Sequence, residues 1–363
     1  MPQPARLARK IPARCRPGPA SRAKPRVSRI ALVWVEFAAC LALVGVTGSQ
    51  LSRSGDIIAD NTRLSGGWIG LILIATVTSL PELATGISAV QVAAAPDIAV
   101  GDMFGSCVFN LALLIVIDFL QRGESVYRRV RQGHILPTAF GVVLIAFAGM
   151  SLLLHGHGAS IAIGRVGTYT PIIFILYALA VRAVFSYERD HQEQAAAAAA
   201  SRYTGITLRR AATTYAAPAL VVVATGTLLP FVAGRLAALM GRQSTFVGTL
   251  FVATVTSLPE AVVCIAAVRL GVLDMAMVNL LGSNLFNRMV LGIDDLFMPE
   301  PLLSRVSPVH AVSAMSAVLM SGIVNAGIVY RPKRRLFRTL GWISLALFTV
   351  YLLNSYVLHL HGT

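Results

Sequence analysis

The chain has 363 residues, 56% of them hydrophobic and only 13% charged, with a mean hydropathy of +0.71. Soluble domains carry about 25% charged residues, so a soluble globular protein is excluded and a polytopic membrane protein is expected. The formal net charge of +15 does not imply a nucleic-acid partner. Nine Lys and Arg lie in residues 1–29 with no acid among them, and most of the others fall between apolar runs, where they set topology and meet anionic headgroups of the lipid bilayer.

A spanning helix needs about 20 mostly apolar residues. Runs of that kind fall near 30–50, 67–90, 98–120, 134–154, 168–186, 214–239, 245–268, 273–297, 308–330 and 337–358. The fold class expected is therefore all-α and membrane-embedded, with about ten transmembrane helices. Residues 1–29 read as a basic N-terminal tail, which need not be native if Val27 is the true start. Residues 30–186 form a first five-helix repeat, and 187–213 a polar linker with the alanine run Ala195–Ala200. Residues 214–363 form the second repeat. Five is an odd number, so the second half must enter from the opposite face and the repeats are inverted. Lys and Arg concentrate on the connections after the odd-numbered spans, including Arg128, Arg129, Arg131 and Arg331–Arg335. That bias places those connections in the cytoplasm and both termini outside. The basic tail contradicts this unless it is foreign to the protein or a targeting segment.

One segment occurs twice. Residues 75–82 and 253–260 both read ATVTSLPE, and each is followed by a second match, GDMFGSCVFN at 101–110 and VNLLGSNLFN at 278–287. The offset is 178 residues between Glu82 and Glu260 and 177 between Asn110 and Asn287. Pro81 and Pro259 fall inside helices, where each removes one backbone bond and frees the carbonyl four residues back, that of Val77 or Val255. In hydrocarbon such a break persists only where protein, water or an ion satisfies it. A single membrane proline is commonly a packing kink; two identical copies, each with Ser and Glu beside it, argue for a site. Glu82 and Glu260 are intramembrane acids, functional candidates by default. Brought together by the repeat axis they repel, so a proton or a cation must sit with them. Oxygen-only ligands suit Ca²⁺ or Na⁺ over zinc or copper, and two negative charges match one Ca²⁺.

Asp102, Ser106 and Asn110 recur every four residues and share one helical face; Asn279, Ser283 and Asn287 repeat the pattern. Gly105 and Gly282 precede the serines and permit close helix approach. The other polar residues read as incidental. Glu36 belongs near the membrane interface, Asp118 at the cytoplasmic surface, and Asp294 and Asp295 in a solvated cap. His155/His157 and His359/His361 are chance pairs. Cys15, Cys40, Cys107 and Cys264 lack CxxC spacing, so no disulfide or metal-thiolate site is expected.

With these motifs placed, the chain resembles the calcium:cation antiporter superfamily, sodium/calcium exchanger type, over 67–117 and 245–295 strongly and over nearly the whole chain in layout. The resemblance implies ten helices in two inverted halves and exchange of Ca²⁺ for Na⁺, with no cofactor. It assigns Glu82 and Glu260 to alternate binding of Ca²⁺ and Na⁺, and Thr78 and Thr256 to backbone-carbonyl ligation. Ser79 and Ser257 match hydroxyl ligands of sodium, and Ser106 and Ser283 match residues lining flanking sodium sites. Asn110 and Asn287 match the central amide or acid. The chain departs from the pattern in four ways. Val77 and Val255 stand where Gly is usual, and Cys107 where Asn is usual. Asp102 replaces a common Asn, and Asn287 replaces the Asp of some sodium-coupled members. Asp102 is thus one more candidate ligand, and the coupling ion stays open between Na⁺ and H⁺. An intramembrane enzyme using the paired glutamates as acid and base is the weaker reading, because no nucleophile or histidine partner accompanies them. A channel is weaker too. The expected location is the cell's inner membrane.

Overall fold

The computed structural model describes residues 26–61, 75–121, 124–156, 162–192, 208–269, 271, 273–332 and 341–361. Most of the basic tail, residues 67–74 of the second apolar run and the alanine run lie outside these. The long helices among the described residues are α1 (Arg26–Asn61), α2 (Leu80–Gln91), α3 (Pro96–Leu120), α4 (Ile135–Gly156), α5 (Tyr169–Gln192), α6 (Leu208–Met240), α7 (Leu258–Arg269), α8 (Leu273–Leu296), α9 (His310–Tyr330) and α10 (Trp342–His361). Seven are long and apolar enough to cross a membrane, and the bent pair Ser244–Thr256 and Leu258–Arg269 forms an eighth span. In α8, Asp274, Arg288, Asp294 and Asp295 interrupt the apolar run.

Hydrogen bonds between the halves show the inversion directly. Asp97, opening α3, accepts from the Ser307 amide at 2.7 Å and faces His310 Nε2 at 3.0 Å. Asp274, opening α8, accepts from the Arg131 amide at 2.9 Å and faces His134 Nε2 at 2.8 Å. Helices α3 and α9 therefore start at one face, and α8 and α4 at the other. Each half pins its motif helix to the other half.

The far ends of α3 and α8 repeat the device. Asp118 is fully buried and accepts from Ser125 Oγ at 3.0 Å, the Val126 amide at 3.0 Å, the Gly341 amide at 3.1 Å and Ser344 Oγ at 2.7 Å. Asp295, equally buried, accepts from the Gly167 amide at 2.9 Å, Thr170 Oγ1 at 2.6 Å, the Leu302 amide at 2.7 Å and the Tyr169 hydroxyl. Asp118 is therefore not at the surface, and Asp295 is no solvated cap. Each holds the start of a distant helix and the loop after its own. The loop amides are the donors that a helix terminus leaves free, and they satisfy each buried carboxylate.

Close approach of the motif elements comes from glycine. Gly101 and Gly105 form a GxxxG step on α3 against the π-turn Gly248–Val252 that precedes the second break. A Cβ at Gly105 would lie 2.7 Å from Thr249 Cα, and one at Gly101 3.0 Å from Thr249 N. Without those glycines the backbones could not come so near. Outside this core, α1 and α6 run 36 and 33 residues, about 50 Å at 1.5 Å per residue. They pack along each other, joined by Glu36 and Arg235 at 2.6 Å; Glu36 is an ion-pair partner in a helix contact.

Candidate functional site

The sequence break is a real break in both copies. Ser79 sits at φ −89°, ψ 13° and Ser257 at φ −86°, ψ 10°, in the sparsely populated bridge region common at active sites. The Ser79 amide still reaches Ala75 O at 3.0 Å, and the Ser257 amide reaches Ala253 O at 3.1 Å. Beyond it the proline has no amide to donate. The second span bends by 46° there. Both breaks place their glutamate, buried, in the first turn of the following helix, α2 or α7.

The two halves meet reciprocally. Ser257 Oγ donates to Glu82 Oε1 at 3.1 Å, and Ser79 Oγ donates to Glu260 Oε1 at 3.3 Å. Each glutamate is buried to 1% exposure or less, and the Oε2 of each has no protein hydrogen-bond partner. The motif threonines cross over too. Thr256 Oγ1 donates to Asp102 Oδ1 at 2.7 Å and lies 3.3 Å from Ser106 Oγ. Thr78 Oγ1 lies 3.1 Å from Ser283 Oγ and 3.4 Å from Asn279 Oδ1. Asp102 and Asn279 are thus counterparts, one acid and one amide, and Asp102 reaches the cluster. Asn279 Nδ2 also donates to the Glu260 carbonyl at 3.3 Å.

Asn110 Nδ2 donates to Asn284 Oδ1 at 3.1 Å, leaving Asn110 Oδ1 free; the Asn287 amide, fully buried, has no partner on either atom. Glu82, Ser257, Thr256, Asp102 and Ser106 therefore form one set, and Glu260, Ser79, Thr78 and Ser283 its counterpart, with Asn110 and Asn287 farther along α3 and α8. Asn279 and Asn284 belong to the network although sequence reasoning did not single them out as ligands; for Asn279 its place on the repeated face was the available signal, and for Asn284 its place beside Ser283. Arg288 was missed entirely. It is fully buried against the Cys107 thiol, at a position where the other half carries leucine. His155 Nδ1 lies 2.8 Å from Ser151 O, and His359 meets Arg242; His157 lies outside the described residues.

Three buried carboxylates so close cannot all remain charged and unaccompanied, since each uncompensated buried ion costs several kcal/mol. The free oxygens are carboxylate and amide, with hydroxyls beside them, which is a hard-cation donor set.

Comparison with known proteins agrees with this architecture. The profile described as sodium/calcium exchanger protein matches residues 32–186 and 211–357, and the chain belongs to that family of multi-pass membrane antiporters. It is similar to the inner membrane protein YrbG of Escherichia coli (strain K12), at 26% identity over 319 residues, covering 87% of this chain and 94% of that one. It is 40% identical over 89 residues to the sodium/calcium exchanger MaX1 of Methanosarcina acetivorans, covering 23% of this chain and 25% of that one. Among solved structures, the fold matches YfkE with a TM-score of 0.61 at 19% identity, covering 92% of this chain and 96% of that one. It matches the sodium-calcium exchanger NCX_Mj with a TM-score of 0.59 at 21% identity, covering 89% and 97%.

Proposed function

We propose that this protein exchanges Ca²⁺ for Na⁺ across the inner membrane by alternating access, with the ions bound between Glu82 and Glu260. The observation that carries this reading is the reciprocal arrangement of the two glutamates. Each gives one oxygen to a serine of the opposite repeat and keeps the other free in a fully buried setting. One Ca²⁺ neutralises both charges; Na⁺ ions entering the same oxygens exclude it. Mutually exclusive occupancy couples the two fluxes. Ser79, Ser257, Thr78, Thr256, Ser106 and Ser283 complete the ligand shell, with Asn110, Asn287 and Asp102 bounding it. The α1–α6 pair is the gate, because it lies against both breaks, with Gly45 near Leu258 and Gly226 against Ala84. The arginine-rich face, with Arg128, Arg129, Arg131 and Arg331, is cytoplasmic.

Proton coupling is the second reading. It is favoured by Asn287, which supplies no charge for a sodium ion, and by Asp102, a carboxylate able to carry a proton. The test is Ca²⁺ flux into proteoliposomes driven first by a sodium gradient and then by a proton gradient. Sodium-driven flux that Glu82→Gln and Glu260→Gln each abolish supports the first reading. Flux driven by protons alone moves the chain to the second, and flux untouched by both substitutions removes the glutamates from the mechanism.

A further inference from the structure

Adjacent carboxylates on α8 differ sharply. Asp295 has four donors, while Asp294, 1% exposed, has no hydrogen-bond partner on either oxygen. It lies against α2 at Gly86, where a Cβ would sit 2.8 Å from the Asp294 Cγ. Gly86 is one turn beyond Glu82, about 6 Å along the helix axis. Helices α2 and α8 end at the same face, where the Gln91 side chain donates to the Phe297 carbonyl. Asp294 thus stands between Glu82 and the face opposite the arginine-rich one. Thr85, on the same turn of α2, is also fully buried with an unpartnered hydroxyl.

Structural duties do not account for this acid. The 177-residue offset pairs Asp295 with Asp118 but pairs Asp294 with Ile117, so the shared anchoring device does not need it. Among the described residues no Lys or Arg pairs with it. Arg288, the buried cation on α8, lies six residues earlier, about 9 Å along the axis and on a different face. Neither oxygen of Asp294 has a hydrogen-bond partner. An unaccompanied carboxylate there costs several kcal/mol.

We infer that Asp294 is a further ligand for a hard cation, holding Ca²⁺ or Na⁺ on the route between Glu82 and the nearer membrane face. The inference rests on the antiporter reading of the Glu82–Glu260 centre and adds to it an asymmetric position outside the repeated motifs. Its chemistry is one carboxylate with neighbouring hydroxyl or water oxygens, which suits a partly hydrated ion in transit.

The experiment measures equilibrium binding of Ca²⁺ to the purified full-length protein, and gradient-driven Ca²⁺ flux in proteoliposomes. It uses wild type, Glu82→Gln and Asp294→Asn. The expected result is that Asp294→Asn raises the half-saturating Ca²⁺ concentration about tenfold while Glu82→Gln abolishes flux. Asp294→Ser, smaller and uncharged, is read in the same way should the asparagine variant fail to fold. Half-saturation within about twofold of wild type, with Glu82→Gln still inactive, overturns the inference and leaves the antiporter reading intact. Absence of flux in wild type under either gradient overturns both.

Discussion

Replacing Asp295 with alanine tests whether the two-ended anchoring of the motif helices holds the fold together. The substitution strips a fully buried acceptor from the Gly167 and Leu302 amides, Thr170 Oγ1 and the Tyr169 hydroxyl. Each buried donor left unsatisfied costs about 1–3 kcal/mol. Four of them sum to about 4–12 kcal/mol before water rescues any, a large share of the roughly 5–15 kcal/mol typical of a folded protein. Asp118→Ala should cost as much, because Ser125, Val126, Gly341 and Ser344 lose their acceptor in the same way. Asp295→Asn falls between, since its amide keeps one accepting oxygen and turns an NH₂ on the donors. The assay is thermal unfolding of the detergent-solubilised protein followed by size-exclusion profile. Both alanine variants are expected to lose the monodisperse peak or to melt far below wild type. A midpoint within about 2 °C of wild type for both, equivalent to roughly 1 kcal/mol or less, would refute the reasoning.

Three further outcomes are expected. Ser79→Ala and Ser257→Ala each remove a hydrogen bond to the opposite glutamate, worth about 1.5–3 kcal/mol when the acceptor is charged; both should raise half-saturating Ca²⁺ in flux assays by about tenfold or more, and an effect from only one would deny the reciprocity. Gly105→Ala drives a methyl into the Thr249 backbone and should cost about 1–3 kcal/mol by overpacking, whereas Gly141→Ala, with nothing within 4 Å of the added carbon, should be neutral or stabilise by up to about 1 kcal/mol; thermal midpoints of the pair decide this. His310→Ala and Asp97→Ala should show a coupling of about 1–3 kcal/mol in a double-mutant cycle, and additive losses would mean that the 3.0 Å contact contributes nothing of its own.

The sequence by itself determined the membrane class, the two five-helix halves and their inversion. Hydropathy marks spans one by one, and an odd count per half reverses direction whatever the packing. It also marked the prolines and glutamates, because a chain break with a charge in hydrocarbon needs a partner, and two copies of one octapeptide make chance untenable. Tertiary structure decided the partnerships. Ser79 reaches Glu260, in the other half, and not Glu82, three residues along its own segment, because the breaks face each other across the axis. Asp118 and Asp295 read as surface acids along the chain; only the packing of segments 125–126, 167–170, 301–303 and 341–344 against helix ends supplies the donors that let them be buried. Asp102 could be assigned to the cluster only once Thr256 lay beside it. Asp294 and Arg288 have no equivalent in the other half, so no repeat signal pointed to them. A side chain's charge is written in the sequence, but whether it is satisfied depends on neighbours brought in from far along the chain.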